Sequence, residues 1–213
     1  REIVDMYLAV ARGLAHAHLN RIVHGDFKPD NVLVDVRHQP HITDFGLARS
    51  LEIAEGDELD HAETALAAGT PEYMAPEQFN RQPSDHASDQ FSFCVALFEA
   101  LLGVHPYATT TFGALAETLR SGGREVSEEL VRARYVTDLV KTMHRGEIQW
   151  PRGAGRLPRW LRAVLARGLD SRPSARFASM TELLAEVERC TRRARRVRLG
   201  LATLGLITVS ALG

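Results

Sequence analysis

The stretch His24-Gly25-Asp26-Phe27-Lys28-Pro29-Asp30-Asn31, followed downstream by Asp44-Phe45-Gly46, crowds oxygen donors and one lysine into two short loops. Upstream of it, Ile3, Tyr7, Val10, Leu14 and Ala17, with Val4, Leu8, Ala11 and Ala15 beside them, recur at helical spacing. They predict an amphipathic helix from Glu2 to Leu19, with Asn20 as its left-handed stop. Between the two loops, the runs Asn31 to Val34 and His41 to Thr43 read as short strands joined by a turn at Asp35 to Pro40. The polar loops therefore flank a small hairpin that follows a helix.

Beyond the hairpin the pattern becomes helical. Ser50 to Ala68 is acidic and Ala-rich around Gly56, lacks a sustained apolar face, and reads as a loop. Ser88 to Leu102 carries Phe91, Phe93, Cys94, Val95, Ala96, Leu97, Phe98, Leu101 and Leu102, leaving almost no polar stripe before Gly103. A helix apolar all round belongs at the centre of a domain. Amphipathic helices are also predicted over Leu115 to Arg120, Glu128 to Met143, Pro158 to Leu169 and Ser179 to Cys190. The fold class is mainly α with one β-hairpin.

With 213 residues, 45% of them apolar and 25% charged, the chain has enough material for one good core and is neither disordered nor a disulfide scaffold. Its two cysteines, Cys94 and Cys190, lie far apart without a metal-ligand pattern and read as free thiols, Cys94 as a core thiol. His16, His18, His38 and His41 form no ligand-like group and are assigned to surface or packing roles. The net charge of -1 hides an asymmetry, since six arginines lie between Arg189 and Arg198. Without those six the basic residues fall from 26 to 20 against 27 acids, so the body stands at about -7 and nucleic acid is excluded as a partner.

Phosphoryl transfer requires an acceptor for the nucleophile's proton, a cation for the moving group and oxygen ligands for magnesium. The opening stretch offers all three. It resembles the catalytic loop of eukaryotic-type protein kinases, with Asp44-Phe45-Gly46 as the magnesium loop. Gly69-Thr70-Pro71-Glu72-Tyr73-Met74-Ala75-Pro76-Glu77 resembles the end of a kinase activation segment, and Ser88-Asp89-Gln90-Phe91-Ser92 the start of that family's buried helix. Ser171-Arg172-Pro173-Ser174-Ala175-Arg176-Phe177 resembles its late arginine motif. The ordered set covers residues 1 to about 190 and is far more specific than any one triplet.

The resemblance implies roles residue by residue. Asp26 is the expected catalytic base, and Lys28 the cation that neutralises the transferred phosphoryl group, as in serine/threonine kinases. Thr70 shapes the loop that receives the target residue and contacts Asp26. Asn31 and Asp44 hold magnesium, and Leu33 lies under the adenine ring of ATP. His24 and Phe45 stack, Asp89 holds the catalytic-loop backbone, and Glu77 pairs with Arg176 in the interior. Gly25 departs from the arginine usual before the catalytic aspartate, which puts a phosphate-operated switch in doubt. Thr64 reads equally as a phosphosite and as an ordinary loop residue. Residues Ala108 to Tyr135 are expected to be an insertion.

The expectation is thus a bacterial-type serine/threonine protein kinase in its helical C-terminal lobe, residues 1–190, with the N-terminal lobe absent and these residues inactive alone. The competing readings are a pseudokinase scaffold and a small-molecule phosphotransferase. Asp26, Lys28, Asn31 and Asp44 speak against the first, and Ala75-Pro76-Glu77, Asp89 and Arg176 against the second. Expected partners are protein substrates, ATP with magnesium, and a membrane; a homodimer is compatible. Residues 191–198 form a basic juxtamembrane segment, and 199–213 are fifteen uncharged residues without proline. At 1.5 Å per residue these reach about 22 Å, short of the roughly 30 Å hydrocarbon layer. They read as a truncated single-pass helix with the kinase lobe on the cytoplasmic side, where basic flanks stay.

Overall fold

The computed structural model describes residues 2–45, 70–80, 82–121 and 126–193. The acidic loop with Thr64, the glycines at 46 and 69, and the apolar run 199–213 lie outside them. Helix α1 spans Glu2–Leu19, strands β1 and β2 span Val32–Val34 and Pro40–Ile42, and the short α2 spans Pro76–Phe79. Then come α3 (His86–Leu102), α4 (Phe112–Arg120), α5 (Glu128–Arg145), α6 (Arg159–Gly168) and α7, residues 180–193. Among the described residues no helix is long and apolar enough to cross a membrane.

Helix α3 is the centre of the molecule. Asp85 caps it by accepting from the N–H groups of Ala87 and Ser88 at 2.8 and 2.9 Å, and Ser88 Oγ accepts from Asp85 N–H. Gly103, at φ +72°, closes it in the left-handed conformation that glycine adopts without steric cost. Its residues from Ala87 to Phe98 are all buried. Each fully buried Phe, Val or Leu on it contributes about 1.5–3 kcal/mol relative to exposure, so this rod is the largest apolar reserve among the described residues. Helices α1 and α6 pack against it, and Tyr7 and Phe93 bring their ring centroids within 5.7 Å.

Local chemistry moves several boundaries from those read in the sequence. Helix α1 ends in a Schellman arrangement in which Ile22 N–H reaches Ala17 O and Arg21 N–H reaches His18 O. The left-handed residue is therefore Arg21, at φ +61°, and Asn20 instead donates its side-chain amide to His16 O. Strand β1 starts one residue later than expected because Asn31 completes a 3-10 turn, Pro29–Asn31. β1 and β2 are antiparallel, with Val32 opposite Ile42 and Val34 opposite Pro40. Asp35 holds the connecting turn by accepting from Arg37 and Gln39 N–H, and His38 takes the left-handed corner. Ala108 to Tyr135 contains α4, which starts at Phe112 and is capped by Thr111, and the first turns of α5, capped by Ser127. Phe112 and Tyr135 join these two helices edge to face.

The sulfur of Cys94, in the middle of α3, lies over Gly168 at the end of α6. A Cβ added at Gly168 would stand 2.3 Å from Cys94 Sγ, so the thiol and the bare glycine are two halves of one fit. Gly168→Ala is expected to destabilise the fold by about 1–3 kcal/mol through overpacking. Cys94→Ala in the same chain removes the sulfur and should recover most of that loss. Chemical denaturation of the single and double variants measures it, and additive effects would contradict the fit.

Candidate active site

The loop after α1 is suspended from α3 by one carboxylate. Asp89, only 1% exposed, accepts His24 N–H at Oδ2 and Gly25 N–H at Oδ1, both at 2.8 Å. It also accepts His18 Nε2–H at 2.8 Å. The buried His24 is a neutral tautomer, since its Nε2 donates to Thr43 O and its Nδ1 accepts from Asp26 N–H. Its ring lies 4.9 Å from that of Phe45 and meets Phe27 edge-on. The backbone on either side of Asp26 is thereby tied to helix and hairpin together.

Within this frame Lys28 bridges two oxygens. Its ammonium lies 3.0 Å from Asp26 Oδ2 and 3.0 Å from Thr70 Oγ1. Thr70 thus reaches Asp26 through Lys28, where the sequence suggested a direct contact. Asn31 is buried and spends its amide N–H on Asp26 O at 2.8 Å, while its backbone carbonyl accepts Thr43 N–H. Among the described residues the Asn31 side-chain oxygen has no hydrogen-bond partner. Asp44, next to Thr43, is exposed at φ +61°, and among the described residues its carboxylate has no hydrogen-bond or ion-pair partner. Left-handed backbone is tolerated by aspartate but costs energy, so the turn holds this carboxylate outward against its local preference. Two hard oxygen donors without a partner among the described residues suit a magnesium ion, whose remaining ligands would be phosphate and water. Leu33 stands 59% exposed on the hairpin, an apolar surface open to a flat ring.

Thr70 opens the 3-10 turn Pro71–Tyr73, whose conformation is held from three sides. His105 Nδ1 accepts Tyr107 N–H, which leaves Nε2–H to donate to Glu72 O at 2.7 Å. Burial pushes the His105 pKa down to about 4. Tyr73 donates its hydroxyl to Glu99 at 2.6 Å, and burial raises both groups above their ordinary values. Ser92 donates to Tyr73 O from α3. Below the turn, Arg176 meets Glu77 through two parallel bonds of 2.6 and 2.8 Å. Its remaining donors go to the carbonyls of Ala87, Asp170 and Ser171, so the buried guanidinium is fully satisfied.

The model of the protein kinase domain matches residues 1–186. The chain belongs to the protein kinase family. Among curated proteins it is 42% identical over 108 residues to ribosomal protein S6 kinase 2 alpha of Xenopus laevis, covering 50% of this chain and 14% of that one. Ribosomal protein S6 kinase alpha-1 of Homo sapiens gives the same figures, 42% over 108 residues, 50% and 14%. The serine/threonine-protein kinase fused of Drosophila melanogaster is 31% identical over 171 residues, 80% of this chain and 17% of that one. The chain thus spans about one sixth or less of the length of these relatives.

Three contributors to this kinase site escaped the sequence reading. His18 is no mere packing residue, because it shares Asp89 with the backbone of His24 and Gly25. Its position in α1 gives no signal, since the partner lies 71 residues away. His105 and Gln78 also sit on unremarkable stretches, and only the folded chain brings them to Glu72 and Gly25.

Two outcomes follow for stability. Arg176→Met strands the Glu77 carboxylate in the interior and should cost about 3–5 kcal/mol in urea unfolding, most of it recovered by adding Glu77→Leu. His105 binds fewer protons folded than unfolded, so its contribution is complete above its ordinary pKa of 6.5 and is lost as pH falls towards 4. The lost stability over that window is about 3 kcal/mol. Melting temperatures from neutral to acid pH should show this limb, flattened in His105→Asn, which keeps an acceptor for Tyr107 but does not titrate.

Proposed function

We propose that this chain is the catalytic, helical lobe of a serine/threonine protein kinase that transfers the γ-phosphoryl group of ATP to protein hydroxyls. The observation that carries the reading is the Lys28 ammonium, 3.0 Å from both the Asp26 carboxylate and the Thr70 hydroxyl. A base, a cation and the loop that receives the target residue meet there. Bound magnesium–ATP supplies the phosphoryl group and the charge neutralisation on its oxygens.

Asp26 accepts the proton of the substrate hydroxyl and, through Lys28, faces the side on which Thr70 presents that hydroxyl. Lys28 places a positive charge where negative charge develops, in a site partly shielded from water. Asn31 and Asp44 are the residues that would hold magnesium, and Leu33 the residue that would lie under adenine. The chain spans about one sixth or less of the length of the relatives it matches, so the activity is assigned to the full-length protein. The arginines between 189 and 198 and the uncharged run 199–213 support a single-pass membrane anchor with this lobe facing the cytoplasm.

The full-length protein should label itself from radioactive ATP in a magnesium-dependent reaction. Asp26→Asn should remove the signal, and Lys28→Ala should lower the rate by about 100-fold or more, the scale of a lost charge at the reacting group. Undiminished labelling in Asp26→Asn would rule out the assigned base.

A further inference from the structure

The peptide unit that joins Gly25 to Asp26 sets the direction in which the Asp26 side chain leaves the backbone. Asp89 fixes the unit before it, through Gly25 N–H, and Asn31 fixes the unit after it, through Asp26 O. The unit between has its N–H 3.4 Å from His24 Nδ1, a long contact. Its carbonyl is met by Gln78 Nε2 at 3.3 Å and Ser84 Oγ at 3.5 Å, both from beyond the loop. Gly25 stands at φ +81°. Without a Cβ it has no steric wall to hold that value, so the peptide can turn unless something outside the loop restrains it.

Gln78 is placed for that task. Its Oε1 accepts Ala75 N–H at 2.8 Å, and its Nε2 also donates to Ser84 Oγ at 3.0 Å. It follows Glu77, which Arg176 clamps by two bonds. The amide is therefore pinned at its own end and presents its donor to the loop. We propose that Gln78, backed by Ser84, is the positioning residue that locks the Gly25–Asp26 peptide and so orients the Asp26 carboxylate. The inference rests on the kinase reading above. It makes the helix carrying Ala75-Pro76-Glu77 a direct support of the catalytic base in addition to its structural part.

The test uses the full-length protein and the initial rate of self-labelling as ATP is varied. Gln78→Glu keeps the acceptor for Ala75 and removes both donors. At about pH 8 it should lower kcat about tenfold with KM for ATP and melting temperature nearly unchanged, the scale of one functional hydrogen bond. Ser84→Ala should lower kcat about twofold and Ser84→Thr restore it, which keeps the question open to experiment if Gln78→Glu fails to fold. Wild-type kcat in both Gln78→Glu and Ser84→Ala overturns the proposal. A wild-type protein that does not label at all instead overturns the kinase reading. Labelling that requires Asp26 but ignores Gln78 and Ser84 overturns this inference alone.

Discussion

A carboxylate with 1% exposure holds the site to the core: Asp89 on α3 accepts two consecutive backbone N–H groups, from His24 and Gly25, and the ring N–H of His18. A buried charge of this kind persists only when its oxygens are fully engaged. The three donors meet that requirement, and in doing so they impose a shape on the loop. Everything on the catalytic side follows from it. His24 can turn its ring to Thr43 and Phe45 because its backbone is fixed, and Asp26 can face Lys28 because the chain enters it from a fixed direction. The rod that carries Asp89 is buried on every side from Ala87 to Phe98, so the loop, which sends Phe27 into the same core, inherits its rigidity.

The turn Pro71–Tyr73 is held by a second set of polar contacts that obeys the same rule. Arg176 satisfies all its donors on Glu77 and three carbonyls, which fixes α2 and the chain entering it. His105, kept neutral by burial, and Ser92 hold the carbonyls of Glu72 and Tyr73. Lys28 then closes the gap between the two halves by touching Asp26 and Thr70 at once. Polar groups buried this deeply are costly when unpaired and rigid when paired, which holds the turn and the loop in one arrangement.

The sequence made the helical body legible because apolar periodicity in α1, α3 and α6 is strong, and the site legible because its residues are clustered along the chain. What it hid depends on distant partners. His18 and Gln78 look ordinary until folding brings Asp89 and Gly25 beside them. Arg21 took the left-handed corner expected of Asn20, since the hydrogen-bond pattern at the end of α1 chose the position and not the side chain. The helix before Arg120 begins at Phe112, three residues earlier than its apolar spacing shows, because the Thr111 cap sets its start and it buries only a narrow face at Ala116. The Cys94 and Gly168 pair is likewise invisible from either residue alone: the thiol fits because the facing helix offers no Cβ.

The central claim is that the buried helix dictates the geometry of the catalytic loop through Asp89. Native-state hydrogen exchange of the His24 and Gly25 amides tests it most directly. Although both residues lie in a loop, their amides should exchange as slowly as those in the middle of α3, through the same global opening. Exchange at the rate of an ordinary surface loop, with α3 still protected, would contradict the account.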